Sequence, residues 1–271
     1  MKRHTRRVNA FEVLMVALAT VAVLFVFLAV AAIVVKGIPY IGEIWKSEEV
    51  HFALRLSLWT SLCSTGLCLL FGIPAAYAVT RPGFRFRNLY SVIIEIPLSM
   101  PNIMLGLSLM ILFASAPGKF LSAHGLHVIF NVNGIIFAHL LVNLPFVVHM
   151  IRTVFLDLDP HLELVAGSLG AGPGRRFFFI TLPLAKNAIL GAALLAWSRA
   201  LGEFGATLML VGATRMKTET LPTSIYLNMA TGDTGQAMAC AVILLMISGI
   251  SHLTASVVMG RKRSGDGGQQ R

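Results

Sequence analysis

The sequence predicts an all-α membrane protein with six transmembrane helices, both termini inside the cell. Three observations predict it. The 271-residue chain is 56% hydrophobic and only 13% charged, outside the range of soluble globular domains. It holds six apolar stretches of the roughly 20 residues that cross a bilayer core of about 30 Å. Its Lys and Arg are shared unequally between the two sets of connecting loops.

The first span, residues 13–35, carries no charge and one polar residue, Thr20. It is longer than the h-region of about 7 to 15 residues in a cleaved signal peptide, so it reads as retained. The second, 56–79, has Pro74 near its inner end. The third, 89–116, is interrupted at IPLSMP, where Pro97 and Pro101 remove two ladder donors. The fourth covers 134–155, the fifth 188–211 and the sixth 237–259. Residues 1–12 and 261–271 are read as cytoplasmic tails flanking one membrane domain, 13–260.

Orientation rests on the basic residues. Fifteen of the 22 Lys and Arg fall in residues 1–12, 81–87, 152–186 and 261–271, six fall in the alternate loops, and Arg199 lies inside a span. The richer side is cytoplasmic. The net charge of +10 is then a topology signal and a contact with anionic lipid headgroups, not a footprint for nucleic acid. Cys63, Cys68 and Cys240 all lie in spans without CxxC spacing and read as buried thiols.

Between spans four and five the chain runs some thirty residues on the cytoplasmic side, far longer than an ordinary helix connection. Asp159-Pro160 reads as N-cap and first position of a short helix. Leu162, Val165, Ala166 and Leu169 form one apolar face, which Gly170, Gly172, Pro173 and Gly174 terminate. RRFFFITLP then places Arg175 and Arg176 at headgroup level.

No GxxxxGK[ST] phosphate loop occurs, so the chain is not expected to hydrolyse a nucleoside triphosphate. Carboxylates are scattered rather than clustered with histidines, and no catalytic residue, metal site or cofactor is assigned. His124 and His127, three apart in an outer loop, lack further ligands.

The segment 157–183 resembles the EAA motif of ABC-transporter permease subunits. Gly170, Ala171, Ile180, Leu182 and Pro183 stand at that family's places, whereas Leu164 occupies the position of its glutamate and Glu163 comes one residue early. IPLSMPNIMLGLSL, RALGEFGAT and TETLPTSIY extend the resemblance to permeases of molybdate or tungstate importers within the larger sulfate group; sulfate permeases carry close variants of RALGEFGAT. The resemblance implies that the segment is a coupling helix received by a separate ATPase, with Glu163, Leu164, Ala166, Gly167, Gly170, Ala171 and Arg175 as its coupling residues. It implies a second copy of the chain, two ATP-binding subunits that carry the ATP and Mg, and an extracytoplasmic oxyanion-binding protein.

Arg199 and Glu203 fall roughly 18 and 24 Å into the fifth span, counting about 1.5 Å per residue from Asn187. Ionisable groups at such depth face protein or an aqueous path. If helical, the two are one turn apart and can pair. Arg199 is a candidate for meeting a passing dianion, and Glu203, which would repel one, is read as tether or gate. Gly202 and Gly205 allow close helix approach. Thr207, with Asn102 and Asn143, is a further candidate for the path. An ion-coupled transporter using Glu203 and His139 as proton sites is the competing reading.

Overall fold

The computed structural model describes residues 10–81 and 83–260; the basic residues of the two tails lie outside them. Every regular element among the described residues is helical. Helix α1 (Ala10–Gly37) leads through a 3-10 turn (Ile38–Tyr40) and one further helical turn (Ile41–Ile44) to α2 (Glu48–Thr80). α3 (Arg87–Glu95) and α4 (Asn102–Ala114) follow, then α5 (Ala116–Ala123) and α6 (Val132–Leu156). α7 (Pro160–Ser168) precedes α8 (Pro173–Leu201), α9 (Gly205–Val211), α10 (Leu221–Ala230) and α11 (Thr234–Gly260).

Five helices are long and apolar enough to cross a membrane, and a sixth crossing is counted only if α3 and α4 form one bent span. The 115° bend between them falls at IPLSMP. Proline disfavours helical backbone in the residue before it; Met100, ahead of Pro101, is extended (φ −99°, ψ 142°), whereas Ile96, ahead of Pro97, keeps helical angles (φ −48°, ψ −46°). Glu95, the last residue of α3, receives Arg152 Nη1 at 3.1 Å and so ties this arm to α6.

Contacts fix the relative directions. Tyr77 meets Phe155 and the Cys68 thiol approaches Leu140 O, so α2 and α6 run parallel. Phe177 lies by Phe155 while Arg199 lies over Phe146, which makes α8 antiparallel to both. Ser251 Oγ donates to Leu194 O at 2.9 Å where α11 returns along α8. Cys68, Ala76, Val147, Ile151, Ala192 and Ala196 pack at the centre of α2, α6 and α8; a second core joins α4, α6 and α9 through Leu105, Ile135, Ala138 and Leu210. Two buried hydroxyls on α2 are satisfied within the helix, Thr60 and Ser64 donating to Leu56 O and Ser61 O. α1 stands apart, its apolar length unburied, and meets α11 where Gly37 lies against Met238 and Val242.

The structure departs from the sequence expectation in two places. The fifth span does not begin near residue 188. α8 starts at Pro173, so RRFFFITLP belongs to the crossing helix and not to a loop. Residues Phe177–Thr181 form a π-helical turn, the wider spacing that admits Pro183 into a continuing helix without its ring striking the carbonyl four residues back. Nor is the span continuous to residue 211: it ends at Leu201 and restarts at Gly205.

Candidate functional site

Two groups of predicted residues are brought together at different places. At the break in the fifth span, Gly202 closes α8, and Glu203 and Phe204 are unwound. Glu203 is 4% exposed. One carboxylate oxygen accepts from Ala206 N at 2.9 Å, satisfying a donor that the break would orphan, and the other accepts from Asn102 Nδ2 at 2.7 Å. Asn102 opens α4, so two broken helices meet at their breaks. Small residues permit it: a Cβ on Gly205 would lie 3.3 Å from Ile103 N, and one on Gly106 would lie 2.5 Å from Ala206 O.

The expected pairing of Arg199 with Glu203 is therefore corrected. With the helix interrupted after Leu201 the two are no longer related by one turn. No ion pair joins them among the described residues, and the Arg199 guanidinium stands 5.6 Å from the Phe146 ring centre. Arg199 and Gly202 are exposed. Thr207, read as path-lining, is fully buried behind them, and its hydroxyl has no partner among the described residues. Asn143 donates to His139 O at 3.0 Å on the same face of α6; both ring nitrogens of His139 lack partners in the buried interior.

The second group lies at the α7 end of the bundle. Asp159 caps α7 by accepting from His161 N at 2.9 Å, with Pro160 in the first turn, as the sequence indicates. Gly170 has φ +85°, and Ala171 N donates back to Ala166 O at 2.9 Å to close the helix. The helix has two unlike faces. Leu162, Leu164, Val165 and Leu169 are exposed, Leu169 at 84%. Glu163 and Gly167, one turn apart, face the protein: Glu163 accepts from the Arg81 guanidinium and from the Thr181 hydroxyl, and Gly167 lies beneath Arg176. Arg175 is exposed beside Gly170 and Ala171, where these residues line a shallow groove with Phe179 and Ile180.

The opposite end holds a cluster that sequence reasoning passed over. TETLPTSIY carries the family resemblance in the sequence, and α10 grows out of it with Thr220 and Thr223 in a reciprocal capping box. Thr220 followed by Leu221-Pro222 repeats the cap-and-proline signal used correctly at Asp159. Leu221 N donates to Ser57 Oγ at 2.8 Å, and Glu219, fully buried, accepts from Arg215 at 3.5 Å and from Met216 N at 3.2 Å. Arg215 also reaches Asn228 Oδ1 at 2.9 Å and pairs with Glu49. His124 and His127 bond back to α5, at Phe120 O and Ser122 Oγ.

Five apolar membrane-length helices, a bent pair that can make a sixth crossing, and a capped short helix presenting an apolar face at one end define a multi-pass helical membrane protein. The chain belongs to the family of binding-protein-dependent transport system inner membrane components, which matches residues 69–259. It is 32% identical over 235 residues to the molybdenum transport system permease protein ModB of Mycobacterium bovis, covering 86% of this chain and 89% of that one. It is 34% identical to the molybdate/tungstate transport system permease protein WtpB of Pyrococcus furiosus, covering 78% and 79%. A bacterial alginate ABC transporter, solved with an alginate pentasaccharide-bound periplasmic protein, contains a chain of the same fold: TM-score 0.72, 18% identity, 97% of this chain and 99% of that one. The resemblance to ABC permeases of molybdate and tungstate systems read from the sequence is thereby borne out.

Proposed function

We propose that the chain is the membrane-spanning subunit of an ATP-driven, binding-protein-dependent importer that carries a tetrahedral oxyanion, molybdate or tungstate, across the cytoplasmic membrane by alternating access. In this reading α3 and α4 count as one span of six, the termini and α7 face the cytoplasm, and two copies work with two ATPase subunits and an extracytoplasmic oxyanion-binding protein. One observation carries it: α7 turns its only carboxylate inward and offers Leu162, Leu164, Val165 and Leu169 outward. A rigid apolar face at the membrane edge gains by entering a cleft on another subunit. α7 is then the coupling helix, with Leu164, Ala166, Gly170, Ala171 and Arg175 near the ATPase.

The path reading is assigned to the first group, at the break in the fifth span. Arg199 and Gly202 are exposed on the apolar body, and an arginine at that depth is tolerated only against protein or water. Arg199 meets the anion transiently, while Glu203 holds the two breaks together as part of the gate. Weak contact suits a path, because a dianion held tightly midway would not leave.

The test is uptake into liposomes holding this chain with its ATPase, supplied with binding protein and ATP. Uptake that requires all four supports the proposal, and uptake by the chain alone, driven by a pH gradient, refutes it. Sulfate is the second substrate reading, favoured by the RALGEFGAT stretch that sulfate permeases closely share. Calorimetry of the binding protein against molybdate, tungstate and sulfate decides between them.

A further inference from the structure

The inward face of α7 carries more than a fastening. Glu163 is the only acidic residue on the helix, and its side chain is 15% exposed. The same carboxylate oxygen accepts from two donors on two different membrane-crossing helices. Arg81 closes the end of α2, where its N–H returns to Ala78 O at 3.2 Å and its guanidinium lies 4.3 Å over the Tyr77 ring. Tyr77 in turn packs edge-on against Phe177 of α8, at 4.6 Å, and Phe155 of α6, at 6.0 Å. Thr181, 2% exposed, ends the π-helical turn of α8.

One turn along α7, Arg176 of α8 covers Gly167, with Nη1 3.2 Å from where a Cβ would stand. α7 is thus clamped through a half-buried, charge-assisted contact to α2 and α8 at once, a stronger and more directional link than a solvent-exposed ion pair.

We infer that Glu163 is a positioning residue: its carboxylate transmits displacement of α7 to α2 and α8 together, and it does not contact the ATPase. The inference rests on the reading that α7 docks on an ATPase. A rigid-body shift of α7 reaches the span only through contacts with two defined arrangements. The aromatic contacts around Tyr77 carry the shift of α2 into α6 and α8, so one carboxylate engages three crossing helices. Leu164, next in sequence and turned outward, is the side chain left to face the partner.

The experiment uses the full complex of this chain, its ATPase and its binding protein in proteoliposomes, with molybdate as substrate. Three quantities are read: ATPase co-purified per chain, the ratio of hydrolysis stimulated by loaded binding protein to basal hydrolysis, and molybdate imported per ATP. Glu163→Gln is expected to co-purify normally, while the stimulation ratio falls by about 5-fold or more, the lower range of measured couplings between sites. Import per ATP falls with it. Exchanging the charges, Glu163→Arg with Arg81→Glu, is expected to restore at least half of both. Normal stimulation in Glu163→Gln, loss of co-purification in that variant, or failure of the exchanged pair to recover overturns the inference. If the unaltered chain brings down no ATPase, the docking reading itself fails, an outcome distinct from these three.

Discussion

Asn102 donates its amide N–H to the Glu203 carboxylate across 2.7 Å, and through that bond the two interrupted helices, α3–α4 and α8–α9, are joined at their interruptions. Unwound backbone at membrane depth persists only where its polar groups are satisfied inside the protein. Glu203 does this for the backbone donor Ala206 N, and its other oxygen holds the Asn102 side-chain amide.

Removing the donor leaves one oxygen of a buried carboxylate without its partner. Asn102→Ala is expected to destabilise the purified chain by about 1–3 kcal/mol, read as a lower midpoint in thermal unfolding. Asn102→Gln, which keeps an amide, recovers part of it. Charge reversal at Glu203 with intact assembly and transport would remove that residue from the gate.

Gly106 and Gly249 make a matched pair. A Cβ on Gly106 meets Ala206 O at 2.5 Å, whereas one on Gly249 meets nothing within 4 Å. Gly106→Ala should separate α4 from α9, lowering thermal stability by about 1–3 kcal/mol as overpacked sites do. Gly249→Ala should stay within about 0.5 kcal/mol of the unaltered chain.

Gly170 holds φ +85° with open space around it, and Gly172 holds φ −65° in similar space. Alanine at 170 is strained by about 1–2 kcal/mol in that left-handed conformation; at 172 it is not. ATPase stimulation measured side by side should fall for Gly170→Ala and persist for Gly172→Ala.

Arg215 faces Glu219, which is fully buried, and also binds Glu49 and Asn228. Arg215→Met leaves Glu219 an unpaired buried charge. That change is expected to destabilise the fold by about 3–5 kcal/mol, read by thermal unfolding in detergent. Arg215→Lys cannot reach three acceptors with one ammonium and recovers little.

Much of this architecture is legible in the sequence because hydropathy over a 20-residue window is a strong signal. α1, α2, α6 and α11 fall within a few residues of the expected spans outside α2's longer N-terminal end, and the proline-driven break at IPLSMP is visible beforehand. The break at Gly202 is not, because an alanine- and glycine-rich apolar run reads as helix until a carboxylate is seen capping its second half. The inward turn of Glu163 is also hidden: its partners, Arg81 and Thr181, are 82 and 18 residues away, and no local pattern links them. α10 was readable from Thr220-Leu221-Pro222, but the surrounding polar loop masked it.

α1 has a mechanical consequence of its own. Its 28 residues make a rod of about 42 Å, at about 1.5 Å per residue, seated near one end where Gly37 meets Met238 and Val242. A pivot of about 10° at that seat sweeps the far tip through about 7 Å of lipid, given the same rise per residue. The family match covers residues 69–259, so this lever lies outside the matched segment.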